Sequence, residues 1–274
     1  MNITSQFLSY ILPLFYLGLI YVYYMLLIGK KKSWTNKTTL LLGLLLILHG
    51  FEIGLRHAVL RTVPLSTVHD ALSFLSFSIL FVYMILELRL KNRGSGIFIL
   101  FFAFILEFIS TFNLTWEPET NELLSSPTFA LHASLSIMGY TAMSLSALYA
   151  IMYIIQNHNL KQRNLGKLFT QLPALTYLEK MSNQSAFMGI ILLGIGLLLG
   201  HIQAEAIIGE FWPMDIKVIA SDIIWALYLA GYVIAQFLRL HGRKMAYLSI
   251  TGYFILVIGG FLIVYLADTF HEFM

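Results

Sequence analysis

Eight apolar runs, each close to the length of a membrane-spanning helix, divide the chain at 6–28, 38–56, 68–88, 95–113, 129–156, 185–206, 217–238 and 246–268. A helix needs about 20 residues to cross the hydrocarbon of a bilayer. Inside that hydrocarbon there is no water to bond the backbone, so each N–H and C=O must be satisfied within the segment itself. The pattern predicts an all-α, polytopic membrane bundle of eight transmembrane helices, forming one integral membrane domain over 1–274. Composition points the same way: 58% of the residues are hydrophobic and 11% are charged, more apolar than a soluble domain requires. The first run lacks a basic start and a small-residue cleavage site, so it reads as a retained span. The lipid bilayer is thus the main surrounding, and nucleic acid is not an expected partner.

The connections between runs alternate in charge. The segments "KKKSWTNK" at 30–37, "RLKNR" at 89–93, "NHNLKQRNLGK" at 157–167 with Lys180, and "RLHGRK" at 239–244 hold every Lys and Arg except Arg56, Arg61 and Lys217. The opposite set carries Glu117, Glu119, Glu122, Glu210 and Asp215. Positive loops stay on the cytoplasmic side, which predicts that both termini face outward and that the turn at 207–218 does too. The expected location is the plasma membrane, as a multi-pass protein. Within the inner segment 157–184, "QLPALTYLEKMSN" reads as an amphipathic helix on the membrane surface.

The chain has eight histidines and no cysteine. The missing thiols exclude disulfides, thiolate metal sites and covalent thioether attachment of haem. His158 and His241 fall in inner loops, where they read as solvated. His49 lies inside the second run, and His57, His69, His132, His201 and His271 lie at outer ends of spans. Ionisable groups at membrane depth are costly and tend to face a cavity. His132 and His271, on different helices and facing one aromatic turn, suit axial ligation of a metal. Without cysteines or a carboxylate-rich shell, the natural guest is a haem iron held by two histidines. Glu52, Glu107, Asp222 and Arg56 sit within apolar runs, either lining a polar cavity or pairing between helices, as Arg56 with Asp70 or Glu107. No G-x-S-x-G, H-E-x-x-H or P-loop is present, so binding is expected rather than autonomous catalysis. "GIILLGIGLLLG" at 189–200 is glycine-interrupted like a transporter half-repeat, but it has no counterpart elsewhere in the chain.

Four blocks in order resemble the membrane cytochrome c assembly family of CcsA, CcmC and HemX type, over about residue 40 to the end. The family's outer turn, W-G-x-x-W-x-W-D-P-K-E, reads here as "IGEFWPMDIKV". Gly209, Trp212, Asp215 and Lys217 are kept, while Ile208, Met214, Ile216 and Val218 replace the two other tryptophans, the proline and the glutamate. Trp225 falls on a later family tryptophan. "RHAVLRTVPLSTVHDALSFLSF" resembles a second block through Arg56, Pro64, Leu65, Ser66 and Asp70. "LHASLSIMGYTAM" places His132 on one haem-ligand histidine of the family, and "LADTFHEF" places His271 on the other.

The resemblance implies a non-covalent, b-type haem with His132 and His271 as axial ligands. Trp212 would offer a flat face to the porphyrin. Asp215, Lys217, Gly209 and Arg56 would fix the turn or meet polar edges of the macrocycle. In the synthase branch a further histidine lies near the inner end of the Trp225 helix, and Val233 stands at that position here. This departure, with the eroded turn, leans toward the HemX branch, which is linked to control of tetrapyrrole synthesis through the level of glutamyl-tRNA reductase. Implied partners are a separate cytochrome c assembly membrane protein or an enzyme of haem biosynthesis. Export of haem or another small molecule is the remaining reading.

Overall fold

In the computed structural model, the described residues are 3–28, 35–60, 65, 67–90, 93–116, 127–163, 166, 170 and 172–266. Among them the chain is all helical: α1 Ile3–Leu27, α2 Thr35–Leu60, α3 Val68–Leu90, α4 Gly96–Phe112, α5 Pro127–Lys161, α6 Leu175–Ile208, α7 Ile216–Phe237 and α8 Arg243–Leu266. Each helix coincides with one apolar run. Six of them are long and apolar enough to cross a membrane, and Gly96–Phe112 is a shorter apolar helix. The expected surface helix is absent as a separate element. "LTYLEKMSN" forms the first turns of α6, which runs on unbroken into the span. α5 and α6 reach 35 and 34 residues, about 50 Å at 1.5 Å per residue. Both outrun the hydrocarbon, so their polar ends stay helical beyond it.

The chain divides into two compact units, Met1–Leu124 with His158–Pro173, and Ser125–Asn157 with Ala174–Met274. In the first, α2 packs on α1 and α3, and α4 closes the ring against α3 and α1. The interior of this four-helix bundle is polar and its exterior apolar. Ser9, His49, Glu52, Arg56, His69, Asp70, Ser73, Ser76, Glu87 and Glu107 are buried, while Leu14, Ile47, Phe51, Phe81 and Phe112 are exposed. An apolar surrounding makes this arrangement stable, because the outer side chains lose nothing to lipid and the inner ones bond to each other.

Hydrogen bonds cluster at the two ends of the bundle. At one end Arg56 Nε lies 2.6 Å from Asp70 Oδ1, Arg56 Nη1 donates to Thr115 O at 2.8 Å, and the guanidinium lies 5.1 Å over the Trp116 ring. The sequence left open whether Arg56 pairs with Asp70 or Glu107, and the structure selects Asp70. Asp70 also accepts from Thr67 N at 3.1 Å. At the other end Glu87 accepts from Tyr23 and, at 2.6 Å, from Thr39, and Arg93 Nε lies 3.4 Å from it. Arg93 is further held by Thr38 at 2.8 Å.

The second unit is built on smaller residues. Its apolar core joins Met143, Ala186, Ile190, Leu193, Tyr228 and Leu256. Short hydroxyl contacts cross it, with Ser182 donating to Ser146 O at 2.9 Å and Ser144 to Tyr253 at 2.9 Å. α6 packs on α7 and α8, which pack on each other.

The Arg56–Asp70 pair gives a prediction for the first unit. Asp70→Ala leaves a buried guanidinium without its anion and should cost about 3–5 kcal/mol, whereas Arg56→Leu with Asp70→Leu should regain most of that loss. Thermal unfolding in detergent measures it. A double variant no more stable than Asp70→Ala would show that the pair contributes through Thr115 and Trp116 instead.

Candidate functional site

The turn between α6 and α7 begins where α6 must stop. Gly209 has φ +82°, a left-handed conformation that a Cβ disfavours, and its N–H bonds Glu205 O at 3.0 Å. This is the usual glycine ending of a helix. α7 restarts six residues later under Asp215, whose Oδ1 accepts from Lys217 N at 2.7 Å and Val218 N at 3.3 Å. The carboxylate satisfies two amides of the first turn and complements the positive end of the helix dipole. Asp215 therefore fixes the turn, one of the two roles expected of it.

Trp212 lies on this turn with 66% of its surface exposed. Its edge is nonetheless held. The indole Nε1–H donates to Asp222 Oδ2 at 3.0 Å. His201 meets the ring edge to face at 5.3 Å, as does Phe211. His201 is itself engaged at both nitrogens, with Phe211 O 3.1 Å from Nδ1 and Asp222 Oδ1 3.1 Å from Nε2. Both ring nitrogens thus face oxygen atoms. The effect is a clasp across α6, the turn and α7, presenting the tryptophan face outward on an immobilised edge.

His201 and Asp222 are the members of this site whose roles the sequence did not supply. They are 21 residues apart, a separation that no motif covers. The available signal was hairpin arithmetic. Each residue lies about two helical turns from the intervening turn, so antiparallel packing of α6 and α7 brings them level.

His132 projects from α5 against α6. Its Nδ1 lies 2.7 Å from Gly196 O. A carbonyl can only accept, so Nδ1 carries the proton and Nε2 keeps its lone pair. Among the described residues no hydrogen bond to Nε2 is found. The ring rests on Gly200, where an added Cβ would come 2.8 Å from His132 Cε1. A side chain in a helix covers the turn preceding its own Cα, so the glycine at 200 uncovers the carbonyl at 196. The same device recurs one turn and a half along α6. Trp225 Nε1 donates to Ile190 O at 3.0 Å, over Gly194, where a Cβ would come 2.9 Å from the indole. This is the use of the glycines in "GIILLGIGLLLG": they open backbone acceptors to side chains of neighbouring helices. Trp225 accordingly packs α7 on α6.

Of the sequence-derived candidates, Gly209, Trp212, Asp215 and Lys217 share the α6–α7 turn and the start of α7. Lys217 and His201 are both close enough to His132 to interact with it electrostatically. Arg56 belongs to the first unit and is committed to Asp70, Thr115 and Trp116. His271 lies outside the described residues, as do Asp268, Glu117, Glu119, Glu122, Pro64 and Ser66. His158 and His241 are exposed, as expected. What the second unit offers is an imidazole with an oriented lone pair, the pattern of ligating histidines whose other nitrogen is tied to a carbonyl, and, on the α6–α7 turn, a clamped, exposed aromatic face. That donor set fits a haem better than a bare metal ion. Among the described residues no group of three His, Asp or Glu is placed to hold such an ion.

Two substitutions test the local construction. Gly200→Ala should press the His132 ring off Gly196 O and lower stability by about 1–3 kcal/mol, an overpacking cost, read as a drop in the thermal midpoint. Asp222→Ala should release both Trp212 and His201, so hydrogen exchange across residues 209–215 should speed up. Unchanged exchange there would show that Asp215 and Gly209 hold the turn without the clasp.

Comparison with known proteins matches residues 65–271 to the family described as Cytochrome C assembly protein. Protein HemX of Brevibacillus brevis is 27% identical over 194 residues, covering 68% of this chain and 70% of that protein. Protein HemX of Bacillus subtilis (strain 168) is 27% identical over 251 residues, covering 89% and 87%. The cytochrome c biogenesis protein CcsA of Trieres chinensis is 23% identical over 259 residues, covering 83% and 82%. The family match spans most of the chain, from the α2–α3 connection to its last residues, and takes in both the clasped tryptophan turn and His132. The chain is a polytopic helical membrane protein of the cytochrome c assembly family.

Proposed function

We propose that this protein binds haem non-covalently at the α6–α7 turn and hands it on or reports its level. His132 and His271 would ligate the iron and Trp212 would lie against the porphyrin. The observation that carries the reading is His132 itself, with Nδ1–H fixed on Gly196 O at 2.7 Å and no hydrogen bond to Nε2 among the described residues. When bound, haem supplies a Lewis-acidic iron and a flat apolar disc. The chain supplies orientation. Gly196 sets the ring plane of His132, Asp222 and His201 set the plane of Trp212, and Asp215 fixes the start of the helix that carries Lys217. Lys217 offers a cation to a propionate. Arg56 belongs to the first unit, where Asp70 and Thr115 hold it. The absence of cysteine keeps any haem of this chain unattached.

The surrounding topology in this reading is eight spans, with both termini and the tryptophan turn outside the plasma membrane. Reporter fusions at residues 34, 91, 165 and 242 should then all read cytoplasmic, and an outward signal at two of them would overturn it.

Two physiological roles follow from one site. In the first, the chain holds haem for cytochrome c maturation with a separate membrane partner. In the second, it is a HemX-type regulator acting on an enzyme of haem synthesis, with glutamyl-tRNA reductase as the expected target. Ile208 and Met214 in place of tryptophans, and Val233 where the synthase branch has histidine, favour the second, as does the similarity to two proteins named HemX. Deletion separates them: loss of covalent c-type haem at normal total haem supports maturation, and raised glutamyl-tRNA reductase with normal cytochrome c supports regulation.

Protein purified in detergent from haem-replete cells should show a low-spin haem spectrum that His132→Ala abolishes. Trp212→Ala should weaken retention several-fold to about tenfold, since an aromatic stack is worth roughly 0.5–1.5 kcal/mol beyond area, and Trp212→Phe should do less. A colourless wild type that takes up no added haemin would sink the haem reading while leaving the fold intact.

A further inference from the structure

The interior of the α1–α4 bundle contains groups that the haem site does not use. Glu107, on α4, is wholly buried. Neither of its carboxyl oxygens makes a hydrogen bond, and the nearest cationic candidate is His49 Nε2, 3.5 Å away. A bare carboxylate in this setting would cost several kcal/mol, so a proton must be near it. Hydrogen-bond counting shows where.

Ser76 Oγ–H donates to Ala103 O at 2.9 Å, which commits its only proton. Tyr16 OH, 2.9 Å from Ser76 Oγ, must then be the donor to it. With that proton spent, Tyr16 can only accept from His49 Nδ1, 2.8 Å away. The chain of donors ends on a backbone carbonyl and fixes His49 with its proton on Nδ1. Nε2 is left as the basic atom, 2.8 Å from Ser73 Oγ and facing Glu107. Ser73 also lies beside the Glu107 carboxyl.

Two arrangements of one proton satisfy these contacts. In one, Glu107 is a neutral acid whose O–H points toward Ser73 and Nε2, and Ser73 donates to neutral His49. In the other, the proton has moved to Nε2, leaving a Glu107 carboxylate and a His49 imidazolium, with the Ser73 hydroxyl turned toward the carboxylate. No bond other than O–H and N–H changes, and no electron moves.

The polar groups packed around this pair come from all four helices. α1 contributes only the hydroxyls of Ser9 and Tyr16. α2 contributes Glu52 and Arg56, and α3 contributes His69 and Asp70 with Ser73 and Ser76. α4 contributes Ser110 beside Glu107. Arg56 is neutralised by Asp70 at 2.6 Å. That leaves two carboxyls, Glu52 and Glu107, with no strong cation between them. Glu52 has one oxygen bonded by Ser9 and the other unpartnered. Two buried carboxyls that feel each other's charge in a low-dielectric interior disfavour ionising together.

Polar side chains lead from this pair toward the Arg56–Asp70 end. His69, Ser73 and Ser76 share a face of α3 at i, i+4 and i+7. His69 donates from Nδ1 to Ser110 O at 3.0 Å, which leaves a buried, unpartnered Nε2 near the Arg56–Asp70 end. Toward the Arg93 end, Leu19, Leu42, Ile79, Leu80, Ile99 and Leu100 form a buried apolar layer between Tyr16 and the Tyr23–Glu87 cluster. The layer argues for a site that binds and releases, with no conduction through the bundle.

We propose that the first unit holds an intramembrane proton-binding site, in which Glu107 and His49 share one exchangeable proton through Ser73, loaded from the Arg56–Asp70 end by way of His69.

The test is infrared difference spectroscopy on the full-length protein in lipid, comparing acid with alkaline buffer. The expected result is a carboxylic acid C=O band that disappears on the alkaline side together with imidazole ring bands. Glu107→Gln should remove the carboxyl band. His49→Asn should keep it but move its titration midpoint by about one pH unit or more, the size of coupling that defines a shared site. The wild-type spectrum needs no variant to fold, and a wild type without a titrating carboxyl band overturns the proposal. So does a band that survives Glu107→Gln and is lost in Glu52→Gln, or one whose midpoint ignores His49→Asn.

Discussion

A bilayer offers no hydrogen bonds, and that constraint organises the structure more than any single contact. In water a stray carboxylate or imidazole can turn outward and be solvated. In hydrocarbon it must find its partner among the neighbouring helices or remain uncharged. The first unit accordingly gathers its ionisable groups on the inside of four helices and leaves leucine and phenylalanine on the outside. Arg56 illustrates the cost and its resolution. A lone buried guanidinium would be prohibitive, so Asp70, Thr115 O and the Trp116 face surround it. Since Arg56 on α2 and Asp70 on α3 are only 14 residues apart, their pairing also pins the α2–α3 corner.

The second unit meets the same constraint with backbone acceptors. A helical carbonyl already receives one bond from the amide four residues on, but it keeps a second lone pair. Where the residue at that fourth position is glycine, nothing shields the lone pair. His132 reaches Gly196 O over Gly200, and Trp225 reaches Ile190 O over Gly194. Close packing and polar satisfaction are here one event. The glycines that let α5 and α7 approach α6 are also what make α6 a hydrogen-bond partner. The geometry that results for His132 is a by-product of packing, and it is the one that a ligand histidine needs.

The helices were readable because bilayer thickness sets a length, and length is a property of one segment at a time. The eight runs of the sequence and the eight described helices coincide. α5 and α6 extend furthest beyond their runs, because polar residues in water end a hydrophobic run without ending a helix. Trp212, Asp215 and His132 were legible as candidates because each is an anomaly in its local setting. His201 with Asp222, and His49 with Tyr16, Ser73 and Glu107, were not assembled. Their meaning depends on which helix faces which, and that is decided by contacts up to 60 residues apart in the chain. A partial sign was present in α2, where His49, Glu52 and Arg56 fall at i, i+3 and i+7 on one face of an apolar helix. A polar stripe on such a helix marks the side turned from lipid.

What separates the buried histidines among the described residues is what each ring nitrogen meets. His201 has an acceptor at each, so its ring is a fastener between the Phe211 carbonyl and Asp222. His49, His69 and His132 each have Nδ1 tied, to Tyr16 OH, Ser110 O and Gly196 O in turn. Tying one nitrogen fixes both the tautomer and the ring plane, so the lone pair on Nε2 is aimed before anything arrives to use it. The surroundings of that nitrogen then decide its chemistry. Beside a buried carboxyl and a hydroxyl, as for His49, it exchanges a proton. Tied to a helix carbonyl over a glycine, as for His132, it is the nitrogen to which the proposed haem reading assigns the iron. The two units thus put the same imidazole geometry to different uses, and the difference lies in the partners that each helix bundle could supply.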